Sequence, residues 1–256
     1  MSAKSRPEPQ FPLPNIHSPV SILGIPIHPV TMSQTLQVAQ HFMNEPRLHQ
    51  ITTVNPEFVM KAQRDAAFRE VLRAADLCLA DGVGLLYAAR RYGRRLPERV
   101  PGSELVYYLA HLAAREGWRL FLLGAAPGVA DEAATILQQR YAGLQIAGTY
   151  AGTPHVNENE AIVQRINVSG ADLLYVAYGA PQQDRWIARN RQALQTVRLA
   201  IGIGGALDFM TGRAVRAPRW LQRLGLEWLH RLSHEPWRWR RMLALPRFAL
   251  RVVFRP

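Results

Sequence analysis

The chain has 256 residues, 48% of them hydrophobic and 20% charged, with a formal net charge of +12. That much apolar material supports one large or two small domains with a substantial core and excludes a disordered or fibrous polypeptide. No run of about 18 apolar residues occurs, so no bilayer-spanning helix is expected, and the single Cys78 excludes an intramolecular disulfide.

Residues 1–19 carry Pro7, Pro9, Pro12, Pro14 and Pro19 and no apolar stretch like a signal peptide, so they read as a disordered arm. Residues 20–28 read as an opening strand or hairpin broken by Gly24 and Pro26, and 31–44 as a helix. A strand over 49–54 ends at Asn55-Pro56. Pro56 and Glu57 then suit the first turn of a helix carrying Phe58, Val59 and Ala62. Residues 77–80 are apolar at every position and too few for a helix, as in a strand covered on both faces. That run stops at Asp81, and Gly82 and Gly84 permit close approach before the next helix. Asp81 either caps that helix or faces a ligand at the end of the strand.

A basic loop over 94–99 leads to a helix over 103–116. Strands at 118–123, 144–148, 173–178 and 197–203 then alternate with helices at 129–141, 158–168 and 182–192. The alternation specifies an α/β, Rossmann-like fold: a mostly parallel sheet with helices on both faces.

From Arg213 onward 11 Arg against 2 Glu place about +9 of the charge in the last 44 residues, with Trp220, Trp228, Trp237 and Trp239. Trp220, Leu224, Trp228 and Leu232 recur every four residues while Arg219, Arg223 and Arg231 fall elsewhere; after Pro236 a second such helix runs through Phe248, Leu250 and Val253. This is a basic amphipathic C-terminal appendage, and its apolar face suits either an anionic membrane surface or the body of the protein. The expected organisation is an arm (1–19), an α/β domain (20–212) and the appendage (213–256).

Polar residues gather at successive strand ends: Thr53 and Asn55, Asp81, Gln182 and Gln183, and Asp208, with Arg99 on a nearby loop. Open α/β sheets bind ligands at that edge, so the cluster describes a nucleotide or sugar site. Neither 202–208 nor Gly82-Val83-Gly84 completes a dinucleotide fingerprint, because Leu207 and Tyr87 stand where glycine is needed. There is no Gly-Lys-Ser/Thr phosphate loop, His-Glu-x-x-His, Asp-x-Asp or cysteine cluster, and His230 and His234 lack an evident third ligand. No metal and no cofactor is expected. Arg99 and helix N-termini are then the groups available to stabilise a leaving diphosphate.

Thr53-Val54-Asn55-Pro56-Glu57, Ala80-Asp81-Gly82 and Glu98-Arg99-Val100-Pro101-Gly102 closely resemble, in order and spacing, motifs of the WecG/TagA/CpsF glycosyltransferases. So do Gly179-Ala180-Pro181-Gln182-Gln183, Gly202-Ile203-Gly204-Gly205 and Arg216-Ala217-Pro218 with Leu224-Gly225-Leu226-Glu227-Trp228. The resemblance implies inverting, metal-independent transfer of a sugar, commonly N-acetylmannosamine, from a UDP-sugar donor to a polyprenyl-diphosphate-linked N-acetylglucosamine. It also implies action at the cytoplasmic face of the plasma membrane, early in teichoic acid, enterobacterial common antigen or capsule synthesis. By position, Asp81 resembles the family's general base, Thr53 and Asn55 its pocket lining, Arg99 a contact to substrate or leaving group, and Gln183 a sugar contact. Asp208 falls near the uridine, and Arg231, Arg238 and Arg241 match basic positions of an appendage that closes over the site. Two departures bear on the donor rather than the reaction class: Gln182-Gln183-Asp184 replaces a basic residue followed by Gln-Glu, and Glu104 replaces Asp.

The alternative is a basic nucleic-acid or anionic-lipid binding module on an α/β scaffold. Confinement of the charge to the tail, away from the strand-end cluster, argues against it, and no nucleic-acid partner is expected. A nicotinamide-dependent oxidoreductase is disfavoured by the two incomplete fingerprints.

Overall fold

Strands β3 (His49–Val54), β4 (Leu77–Ala80), β7 (Leu173–Ala177) and β8 (Leu199–Gly202) are buried at every position. Such strands need cover on both faces, and in the computed structural model they lie inside a six-stranded sheet of order β4-β3-β8-β7-β5-β6. β5 (Arg119–Gly124) and β6 (Gln145–Tyr150) complete it, and every pairing in this sheet is parallel. The structure describes residues 18–215, 218, 221 and 242–254.

Alternate side chains divide between the faces. Ile51, Leu79, Leu122, Tyr175 and Ile201 pack beneath α1 (Met32–Phe42), α5 (Gly102–Glu116) and α6 (Val129–Arg140). On the other face Leu174 and Val176 meet α7 (Val156–Ser169) and α8 (Gln182–Arg189) through Ile162 and Trp186. Val54, Cys78 and Ala80 on that face meet α2 (Pro56–Ala62), α3 (Ala66–Ala74) and α4 (Val83–Arg91). The expected α/β sheet with helices on both faces is what forms.

The opening segment is a hairpin, β1 (Val20–Ile22) against β2 (Ile25–Ile27). His28, just beyond it, shields the open edge of β4: its N–H donates to Cys78 O at 2.8 Å and its Nδ1 accepts from Cys78 N at 2.9 Å. At the sheet's amino-terminal edge Asp76 accepts from Arg47 at 2.6 Å and Gln50 N at 2.9 Å and pairs with Arg191 at 3.0 Å. Burial opposes ionisation there, but His49, Gln50 and Arg47 outweigh it and hold the Asp76 carboxyl well below the usual range. That cluster ties strands to loops on the side remote from the strand ends.

Two short helices complete the described residues: α9 (Ala206–Met210) and α10 (Ala244–Phe254). Phe248 and Val252 of α10 belong to the same core cluster as Val54 and Ala80, so this part of the tail packs on the body. The arm, apart from Ser18 and Pro19, lies outside the described residues, as do Trp220, Trp228, Trp237, Trp239, His230 and His234. No helix among the described residues is long and apolar enough to cross a membrane.

Candidate functional site

The carboxyl ends of β4, β3 and β8 open into one cavity of about 660 Å³. Thr53, Asn55, Asp81, Arg99 and Gln183 all line it, so five of the residues expected from the sequence are brought together. The N-termini of α2, α4, α5 and α9 converge on the same space through Pro56, Val83, Gly102 and Ala206, as parallel β/α connections require. The positive ends of these helix dipoles give the cavity a field suited to an anionic ligand, with the Phe58 N–H of α2 and the Gly102 N–H of α5 already taken by Asn55 and Asp81.

Asp81 does not cap the helix that follows it. The N-cap of α4 is Gly82, with no side-chain cap. Asp81 Oδ2 accepts instead from Gly102 N at 3.2 Å, at the first residue of α5, while Asp81 N donates to Val54 O at 2.7 Å. The half-buried carboxylate is thus anchored between two strand ends and a third helix. A Cβ at Gly102 would stand 3.0 Å from Thr53 Oγ1 and Cγ2, so a side chain there requires Thr53 to give way by a few tenths of an ångström.

Asn55 is a cap: its Oδ1 accepts from Phe58 N at 3.0 Å at the start of α2. Arg99 reaches the cavity because Val100 N donates to Ala80 O at 2.9 Å, laying the basic loop along the end of β4; Glu104 lies 4.0 Å from its guanidinium. Gln183 is buried, and its Oε1 accepts from Gly204 N at 2.8 Å, tying the first turn of α8 to the β8–α9 loop. Asp208 is not among the residues lining the cavity; Ala206 and Phe209 of the same helix are. Arg231, Arg238 and Arg241 lie outside the described residues.

The sequence reading does not single out several further lining residues. Glu57 and Ser103 stand in the first turns of α2 and α5, and Tyr87 and Arg91 lie one and two turns further along α4. Met242, Leu245 and Phe248 close the far wall, and only the tertiary packing of α10 brings them there. No group of three or more His, Cys, Asp and Glu among the described residues is placed to hold a metal.

Gly202 makes the Gln183 arrangement testable. A Cβ at 202 would lie 2.5 Å from Gln183 Nε2 and 2.7 Å from its Cδ, so the buried Gln183 side chain would have to shift. Gly202→Ala is expected to cost about 1–3 kcal/mol of stability, the usual effect of overpacking. In Gly202→Ala combined with Gln183→Ala, thermal stability should recover. A fully stable Gly202→Ala protein would show that Gln183 is not held as described.

The model of the Glycosyl transferase WecG/TagA/CpsF family matches residues 20–255. An N-acetylglucosaminyldiphosphoundecaprenol N-acetyl-beta-D-mannosaminyltransferase of Bacillus subtilis strain 168 is 34% identical over 214 residues, covering 84% of this chain and 82% of that protein. Proteins of the same name from Bacillus spizizenii strain W23 and Staphylococcus aureus strain MRSA252 are 34% identical over 203 residues and 30% identical over 237 residues. The first covers 79% of this chain and 78% of the relative, the second 91% and 92%. With the match running through every strand of the sheet and every loop that lines the cavity, the chain belongs to the WecG/TagA/CpsF family of glycosyltransferases.

Proposed function

We propose that the protein transfers N-acetylmannosamine from its UDP conjugate to a polyprenyl-diphosphate-linked N-acetylglucosamine, with inversion and without a metal, in cell-surface polysaccharide or teichoic acid synthesis. The observation that carries this reading is the placement of the Asp81 carboxylate at the mouth of a strand-end cavity ringed by helix N-termini and Arg99. In the reaction Asp81 takes the proton of the acceptor hydroxyl as its oxygen attacks the anomeric carbon. The new C–O bond forms on the face opposite UDP while the bond to UDP breaks, and the electron pair leaves on the diphosphate. Arg99, Arg91 and the positive dipole ends of α2, α4 and α5 supply positive charge where that pair accumulates. Thr53 and Asn55 hold the donor against the strand ends.

The domain boundary belongs to the same reading, with 20–212 as catalytic body and 213–256 as an appendage that completes the site from above. On α10 the exposed side chains of Leu250, Val253 and Phe254 stand beside Arg247 and Arg251. That combination favours a peripheral position on the anionic inner face of the plasma membrane, where each surface Arg contributes about 1 kcal/mol. The deciding experiment offers radiolabelled UDP-N-acetylmannosamine, UDP-N-acetylglucosamine and UDP-glucose with a lipid-diphosphate-linked N-acetylglucosamine in excess chelator. Transfer from the first donor to a β-linked product is expected. No transfer from any UDP-sugar, or complete dependence on added metal, would defeat the proposal.

A further inference from the structure

Beside the main cavity lies a second, of about 350 Å³, in the cleft between α2 and α10. The two share Glu57, Phe58 and Ala180, so they meet at the first turn of α2 and the loop after β7. α10 forms the partition between them: Phe248 and Val252 face the main cavity, Ala244 and Arg247 the smaller one. The floor of the second cavity is apolar, built on the buried rings of Phe58 and Phe68 with Met60, Pro181 and Ala244. Its rim is cationic, with Lys61, Arg64 and Arg247 exposed against Glu57 as the single carboxylate of the lining. Lys61 shares Asp65 with Arg185, whose guanidinium is closer to that carboxylate, at 2.5 Å against 3.6 Å, so Asp65 does not cancel the charge of the rim.

An apolar trough with cations along its lip, opening into a cavity that takes an anionic sugar nucleotide, matches an amphiphile with an anionic head. A free sugar phosphate has no use for the floor, and a neutral hydrocarbon none for the rim. We infer that this groove seats the diphosphate and first prenyl units of the acceptor lipid, which rests on the reaction proposed above. The diphosphate lies among Arg64, Arg247 and Lys61, the chain lies on Phe58, Phe68 and Met60, and the acceptor sugar passes Glu57 into the main cavity. The donor and the acceptor lipid then occupy opposite sides of α10, and each can enter without displacing the other.

Two variants separate the halves of this assignment. Arg64→Gln with Arg247→Gln should raise KM about tenfold for acceptors carrying a diphosphate, whether on a long prenyl chain or a short alkyl chain. Ala244→Trp, which fills the groove, should raise KM for the long-chain acceptor by a similar factor and leave the short-chain acceptor unchanged. In both variants KM for the UDP-sugar should match wild type, which also shows that the fold survives. Unchanged acceptor KM in detergent, including the case where only vesicle binding weakens, overturns the inference, and so does a donor KM that rises in step. Should the wild-type protein transfer no sugar at all, the proposed reaction has failed rather than the groove. Tritiated farnesyl diphosphate binding then tests the groove directly, with retention by wild type and loss in Ala244→Trp expected, and equal binding by both refuting it.

Discussion

Asp81→Asn is expected to leave the protein folded and to lower kcat by about 100- to 10,000-fold, the loss typical of removing a general base. The two halves of that expectation have separate causes. Asp81 has a structural task, accepting the Gly102 N–H at the start of α5, and an amide oxygen of the same shape performs it. An amide has no basicity with which to take a proton, so only the chemical task is lost. Asp81→Ala should remove both, adding about 1 kcal/mol of instability from the lost cap. Glu57 is the necessary control, because it too is a carboxylate lining the cavity. It stands in the first turn of α2, away from the Gly102 anchor, and Glu57→Gln should reduce kcat far less than Asp81→Asn. Measured by release of UDP under saturating substrates, with circular dichroism as the check on folding, the reverse order would transfer the role of base to Glu57. A native rate in folded Asp81→Asn would remove Asp81 from the chemistry.

This case shows what local sequence could and could not carry. The run Leu77–Ala80 announced its strand because a parallel strand buried on both faces has no polar alternation to confuse it. The partner of Asp81 was hidden, because Gly102 is 21 residues away and reaches it only through a loop laid along β4. Sequence spacing displays a residue's capping of its own next helix and not its capping of a helix from elsewhere. Asp208 illustrates a different gap. Its place after a glycine turn pointed to the cavity, but α9 begins at Ala206 and helical geometry puts Ala206 and Phe209 on one face and Asp208 off it. The sequence does not display α3, although Asp65 caps it by accepting from Phe68 N at 3.1 Å and Phe68 and Leu72 form its buried side. Between a helix and a strand only a few residues away, one more short amphipathic segment gives a weak period. Amphipathicity of the tail left body and membrane equally open, and only packing showed that Phe248 and Val252 turn inward.

Asp184→Asn is expected to make the protein more stable than wild type at pH 8 and to leave it nearly unchanged near pH 4. Asp184 is 1% exposed, and neither of its carboxyl oxygens has a hydrogen-bond partner among the described residues. Burial pushes its pKa up to about 7, and its own backbone N–H and the Gln183 amide, which lie near the carboxyl without hydrogen-bonding geometry, only partly offset the loss of water. Its place in the first turn of α8 favours the anion by no more than about 2 kcal/mol, too little to reverse the effect of burial. In the unfolded chain the group ionises near its ordinary value of 3.8. Between about pH 4 and pH 7, therefore, the unfolded chain has lost a proton that the folded protein keeps, and stability falls as pH rises, by about 1.4 kcal/mol per unit. Above pH 7 both states are ionised and the fall stops, after a total on the order of 4 kcal/mol. Asparagine copies the shape of the neutral acid and never ionises, so it escapes this loss. His28 acts in the opposite direction, since burial lowers its pKa and its contribution grows as pH rises toward 6.5. The comparison of variant with wild type at each pH cancels that term. For a chain of this size the difference at pH 8 corresponds to a rise in Tm of roughly 10 °C, shrinking to nothing near pH 4. A variant destabilised equally at both pH values would mean that folded Asp184 is an anion with a charged or hydrogen-bonding partner, and that the first turn of α8 is not built on a neutral buried acid.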